Sequence, residues 1–158
     1  MSFPFTAMEL PSADARVERL FRKSFRAAPP DYPRHFVAVS RNGAHVGGYI
    51  HYTTFEPGVF LLGGLCIDSA VYRLMDRGDR AAIAEHGSLS RWLIARAAEL
   101  LGPRRAIFAH TGSVASRRDG DAIGFVDAVP PHLIVWWHDE PLEARARTVE
   151  KVRRLGAF

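Results

Sequence analysis

Cysteine and lysine are nearly missing from this chain: Cys66 is the single cysteine, and Lys23 and Lys151 are the only lysines. One thiol excludes an internal disulfide and a thiolate cluster for zinc. With lysine so scarce, arginine supplies almost all of the positive charge behind a formal net charge of +4. The arginines are scattered. No segment carries the dense basic stripe, interleaved with aromatics, that tracks a phosphate backbone, which argues against nucleic acid as a partner. Long apolar runs are absent too. None approaches the roughly 18 to 20 residues of a membrane helix, and Met1 to Leu10 lacks the basic start and apolar core of a signal peptide. The expected location is therefore the cytoplasm, with no membrane partner. The seven histidines show no paired metal-ligand spacing, so no metal is expected.

What is present fits one globular domain over residues 1–158: 47% of the residues are hydrophobic and 24% charged. Phe3 to Met8 reads as a first strand. Ser12 is then placed to cap a helix through Phe25, with Val17, Leu20, Phe21 and Phe25 at helical spacing. Ala28 to Pro33 is a rigid connection. Phe36 to Ser40 and His45 to Phe55 are strands joined by Asn42-Gly43, a strong hairpin signal. Val59 to Ile67 follows the Glu56-Pro57-Gly58 turn and is apolar almost throughout, as a central strand covered on both faces would be.

Between Ser69 and Glu85 the pattern suggests a helical turn at Val71 to Met75, a break at Gly78 and a second helical start at Ala81. A clear helix runs from about His86 to Leu101, with Leu89, Leu93, Ala97 and Leu100 facing inward and Gly102-Pro103 ending it. Ala106 to His110 is the next strand, and Thr111 to Ala122 a short imperfect helix or loop. Phe125 to Val129 and Leu133 to Trp137 form a closing hairpin around Pro130-Pro131. Pro141 opens a C-terminal amphipathic helix over about 141–155, with Leu142, Val149, Val152 and Leu155 as its apolar residues. That stripe suits packing on its own sheet or a homodimer contact.

This order, together with Leu65-Cys66-Ile67-Asp68 closing the long strand, Gly87-Ser88-Leu89 opening the main helix and Ile123-Gly124-Phe125 before the last hairpin, resembles the GNAT family of N-acetyltransferases. The resemblance covers about two thirds of the chain. It implies an α/β fold of the α+β type, with a mixed, mostly antiparallel central sheet flanked by helices. It also implies acetyl transfer from acetyl-CoA, as cosubstrate, to the amine of a small molecule or peptide. Cys66, Ile67 and Asp68 then lie where the pantetheine arm pairs with the strand backbone. Gly87, Ser88 and Leu89 lie where the pyrophosphate meets a helix N-terminus. Ser113 and Ser116 stand where relatives often carry a cofactor-binding Asn.

Three departures from the family pattern bear on function. Glu85 occupies a glycine position of the phosphate motif and Ala82 its Arg/Gln position, with Arg80 or His86 as substitute cations. Gly120 falls where a Tyr acid would protonate the leaving thiolate. The base that accepts the amine proton is open among His110, at the end of a strand, Glu56, at the turn before the central strand, and His51 and Tyr52 beside it. The alternative to an enzyme is a noncatalytic GNAT-like module that binds acyl-CoA or a protein.

Overall fold

The computed structural model describes residues 3–158. Seven strands form one sheet in the order β1-β2-β3-β4-β5-β7-β6: β1 Phe5–Leu10, β2 Arg34–Ser40, β3 Val46–Glu56, β4 Val59–Ile67, β5 Ala106–His110, β6 Val126–Val129 and β7 Leu133–Trp137. Five α-helices accompany them: α1 Ala15–Phe25, α2 Arg77–Glu85, α3 Leu89–Leu100, α4 Val114–Ile123 and α5 Leu142–Arg153. The sheet is mixed and mostly antiparallel, β4 and β5 being the parallel pair. By compactness the described residues form two units, 3–51 with 64–101 and 52–63 with 102–158.

In the first unit, α1 starts at Ala15 because the Asp14 side chain, and not Ser12, accepts from the backbone N–H groups of Arg16 and Val17. Val17, Leu20 and Phe21 of α1 pack on Val37, Val39, Tyr49 and Cys66 of the sheet, while Phe25 stays exposed. Gly78 does not break the chain. It sits in the first turn of α2, which Asp76 caps through the N–H of Asp79, and a 3-10 helix, Ser69–Leu74, precedes it. Helix α3 buries Leu89, Trp92, Leu93, Ile94, Ala97 and Ala98. Leu100 is exposed instead, and the last turn offers its carbonyls to Arg34, whose guanidinium donates to Leu100 O and Leu101 O at 3.2 Å each.

In the second unit, Val59, Leu61, Ala106, Phe108, Leu133, Val135 and Val152 form the core. Val152 brings α5 into that core, so its stripe packs on its own unit, with Leu142 and Leu155 left exposed. Residues 114–123 are a regular helix capped by Ser113, whose hydroxyl accepts from the Ser116 N–H. The Pro130-Pro131 peptide is cis. Glu140 is buried yet charged: Arg105 donates to it from Nε at 2.5 Å and Nη2 at 3.0 Å, and its side chain has no exposed surface.

Candidate functional site

The β4–β5 ladder runs from Val59↔Ala106 to Leu62↔Ala109, after which β4 continues to Ile67 and β5 only to His110. Leu62, Gly63, Gly64 and Leu65 are half-buried, whereas a central strand sealed on both faces would hide them. At Gly64 the backbone takes φ +60, a conformation that costs an L side chain about 1–2 kcal/mol. A Cβ there would also lie 2.5 Å from Cε1 and Nδ1 of His51 and 2.8 Å from Phe21. Only glycine fits, on both counts.

Beyond the kink, Cys66 is a small buried core residue. Burial pushes its thiol up to about 11, against a hydrogen bond with Ser24, so it stays protonated and unreactive near neutral pH. Ile67 Cδ1 packs against the α-carbon of Gly48. Asp68 ends the strand, caps the 3-10 helix through Ala70 N–H at 3.2 Å and pairs with Lys23 at 3.1 Å. Burial opposes its ionisation, but the Lys23 and Ala70 hydrogen bonds outweigh it and hold the carboxyl below its usual range.

Gly87 adopts φ +85 and links α2 to α3 through Gly87 N–H to Ala84 O at 2.9 Å. Ser88 is the N-cap of α3, accepting from Arg91 N–H at 3.0 Å, and Leu89 is fully buried beneath it. The Arg91 guanidinium lies against the α-carbon of Gly87, and a side chain there would have to displace it. A cation therefore stands at the N-terminus of α3, supplied from inside the helix rather than by Arg80 or His86. Glu85 is exposed at the end of α2.

In the second unit Ser113 and Ser116 hydrogen bond to each other at 2.9 Å at the start of α4, beside a shallow depression lined by Thr111, Arg117 and His132. His110 is exposed; its Nε2 is 3.2 Å from Gly156 O and its ring packs edge-on against Phe158. Glu56 accepts from Lys151 at 2.8 Å and from Arg105 at 3.2 Å. The Lys151 hydrogen bond, against burial and helped by the charges of Lys151 and Arg105, holds its carboxyl below the usual range. Because Arg105 precedes β5 and His110 ends it, Glu56 and His110 stand at opposite ends of that strand, on the order of 15 Å apart at ~3.3 Å per residue. The fold does not bring these two candidates together. Gly120 is buried against Ile134 Cδ1 and offers no proton donor.

Spacing did not reveal the polar chain in the first unit. His35 Nδ1 is 2.8 Å from the Tyr49 hydroxyl, which is 3.2 Å from His51 Nδ1. His35 and Tyr49 are fully buried, and His51 is half-buried beside Gly64. Tyr49 and His51, two apart on one strand, are visible in the sequence as one face of β3; His35 joins them only through strand pairing.

This architecture is that of the GNAT acetyltransferases. A ribosomal-protein-S5-alanine acetyltransferase from Vibrio fischeri has the same fold, with a TM-score of 0.56 at 14% identity over 88% of this chain and 96% of that one. An acetyltransferase of the GNAT family from Streptococcus pneumoniae matches with a TM-score of 0.55 at 15% identity, over 85% and 99%. At such identities the likeness is one of fold. No protein-family model and no curated protein sequence matches the chain. Among the described residues, no helix is long and apolar enough to cross a membrane, and no three His, Cys, Asp or Glu side chains cluster as metal ligands.

Proposed function

We propose that this chain transfers an acetyl group from acetyl-CoA to an amine by direct attack of the amine on the thioester. One observation carries the reading: β4 outruns its ladder with β5 and leaves Leu62 to Leu65 half-buried in the middle of a sheet. Backbone N–H and C=O groups at such a place need partners, and the amides of a pantetheine arm are of the right kind, added as a strand would be. Cys66, Ile67 and Asp68 continue the line.

The N-terminus of α3 supports the same reading. Ser88 caps it, Gly87 leaves room for the Arg91 guanidinium, and the helix dipole favours an anion. Arg91 adds a guanidinium that binds pyrophosphate by charge-assisted hydrogen bonds and offsets the Glu85 carboxylate. With Gly120 in place of an acid, the thiolate leaves as the anion and takes its proton from water. The acceptor is an amine of a small molecule or peptide, and the protein acts in the cytoplasm.

A second reading, a noncatalytic module binding acyl-CoA or a protein, is favoured by Gly120 and Glu85. Acetyl transfer to any member of an amine panel by a chain that binds acetyl-CoA separates the two. Binding without transfer across the panel supports the module.

A further inference from the structure

We propose that His51 is the base that takes the proton of the attacking amine, positioned by a buried hydrogen-bond chain through Tyr49 to His35; this rests on the acetyl-transfer reading. The argument begins with place. The His51 ring fills the space where residue 64 of β4 would put a side chain, since a Cβ on Gly64 would meet Cε1 and Nδ1 at 2.5 Å. Gly64 lies just past the last ladder pair, Leu62↔Ala109, on the stretch of strand proposed to carry the acyl arm. His51 is half-buried there, so its ring is both held and reachable. By contrast, Glu56 is occupied by Lys151 and Arg105.

The chain behind His51 fixes which of its ring nitrogens carries the hydrogen. Tyr49 has one phenolic hydrogen and two imidazole Nδ1 atoms as neighbours, at 2.8 and 3.2 Å. It can donate to one of them only, so the other imidazole must donate its own Nδ1–H to the phenol oxygen. When His51 is that donor, its Nε2 carries the lone pair and is the basic atom. His35 then accepts from Tyr49 and carries its hydrogen on Nε2. That atom is buried and has no hydrogen-bond partner among the described residues. An unsatisfied buried polar group of this kind is destabilising, and an apolar side chain at position 35 would avoid it. The His35 Nδ1, accepting from Tyr49 and so fixing the tautomer of His51, accounts for a histidine there.

The groups facing this chain are few. Phe21 of α1 packs on His51 and Tyr49, Cys66 faces Tyr49, and burial disfavours a charge on His35 against the opposing pull of Asp31. Burial, and then the like charge of His35, holds the His51 imidazole down at about 4, so it is unprotonated near neutral pH. His51 is therefore free to accept a proton, and the acceptor attacks as the neutral amine, because an ammonium has no lone pair with which to attack. In the step, the amine nitrogen bonds to the thioester carbonyl carbon, its surplus proton passes to His51 Nε2, and the C–S bond breaks with its electron pair on sulfur. The thiolate then takes a proton from water. The proton taken up at Nε2 leaves to solvent from the half-buried His51 ring, while Tyr49 and His35 hold the tautomer. His51 is thus the catalytic residue, and Tyr49 and His35 are positioning residues.

The test uses the full chain labelled with ¹⁵N at histidine, with His51→Gln to assign the His51 signals, calorimetry to follow acetyl-CoA binding, and spermidine, free lysine and short peptides as acceptors. The expected result is threefold. Acetyl-CoA binds and moves the His51 ring nitrogens. Tyr49→Phe changes the separation of their shifts, which reports the tautomer, without altering acetyl-CoA affinity more than about twofold. His51→Gln binds acetyl-CoA as the parent does but transfers acetyl at least ~100-fold more slowly. Acetyl-CoA binding that leaves the His51 signals in place, or full turnover by a folded His51→Gln, overturns the assignment and leaves acetyl transfer standing. No binding of acetyl-CoA overturns both.

Discussion

Acidification should loosen this protein earlier than its carboxylates require, because histidines are buried in the neutral form. His51 is held near 4 in the folded chain, against an ordinary value of 6.5. His35, by burial despite Asp31, and His138, by burial and then Arg104, shift in the same direction. As pH falls below 6.5 the unfolded chain binds protons at these sites and the folded chain does not, so stability drops until the folded values are reached. At about 1.4 kcal/mol per pH unit, His51 alone removes about 2 kcal/mol between pH 6.5 and about 5 and roughly 3 by pH 4. The carboxyls of Glu9, Glu56 and Glu140 are lowered from 4.5 and act only below that, so the interval above it belongs to histidine. Urea unfolding of the parent and of His51→Gln at pH about 7.5 and about 5 isolates the His51 share. The parent should lose about 2 kcal/mol more than the variant. Equal losses in the two proteins would refute the claim that His51 is held neutral by burial.

Three further outcomes follow from local geometry. Gly64→Ala should destabilise by about 3 kcal/mol, from the positive φ and the collision with His51 and Phe21, and lower the melting temperature by ~10 °C; an unchanged melt would mean that the β4 kink is not required. Arg105→Ala strands the buried Glu140 carboxylate and should cost about 3 kcal/mol in chemical denaturation, with Glu140→Gln in the same chain recovering part of it. Arg91→Ala should weaken acetyl-CoA binding by about tenfold in calorimetry if its guanidinium meets the pyrophosphate; unchanged affinity would remove Arg91 from the phosphate site.

Much of the fold was legible because local chemistry and tertiary demand agree: Asn42-Gly43 turns the β2–β3 hairpin, and an unbroken apolar run makes β4. Where the reading slipped, one local signal was chosen over another. Ser12 and Asp14 can both cap, and Asp14 is the one whose carboxylate meets Arg16 N–H and Val17 N–H. Gly78 looked like a break, yet in the first turn of α2 the capping carboxylate of Asp76 outweighs the glycine's poor helix propensity. Residues 114–123 lack an apolar period because Asp119 and Gly120 are the buried residues of α4. At the candidate site, the Gly87-Ser88-Leu89 opening was readable as a motif. Its cation was sought upstream, at Arg80 or His86, while Arg91 reaches back over the glycine from the next turn. Arg105–Glu140 and His35–Tyr49 join different elements, and no spacing in a single sequence reports such a pair.

Calorimetric titration of the purified chain with acetyl-CoA, alongside Gly87→Glu, tests the central claim most directly. The account predicts binding in the micromolar range, about 8 kcal/mol at 1 μM, and its loss in the variant, whose side chain at position 87 would collide with Arg91 and put a carboxylate on the phosphate site. Absence of binding by the parent, or equal binding by both proteins, would contradict it.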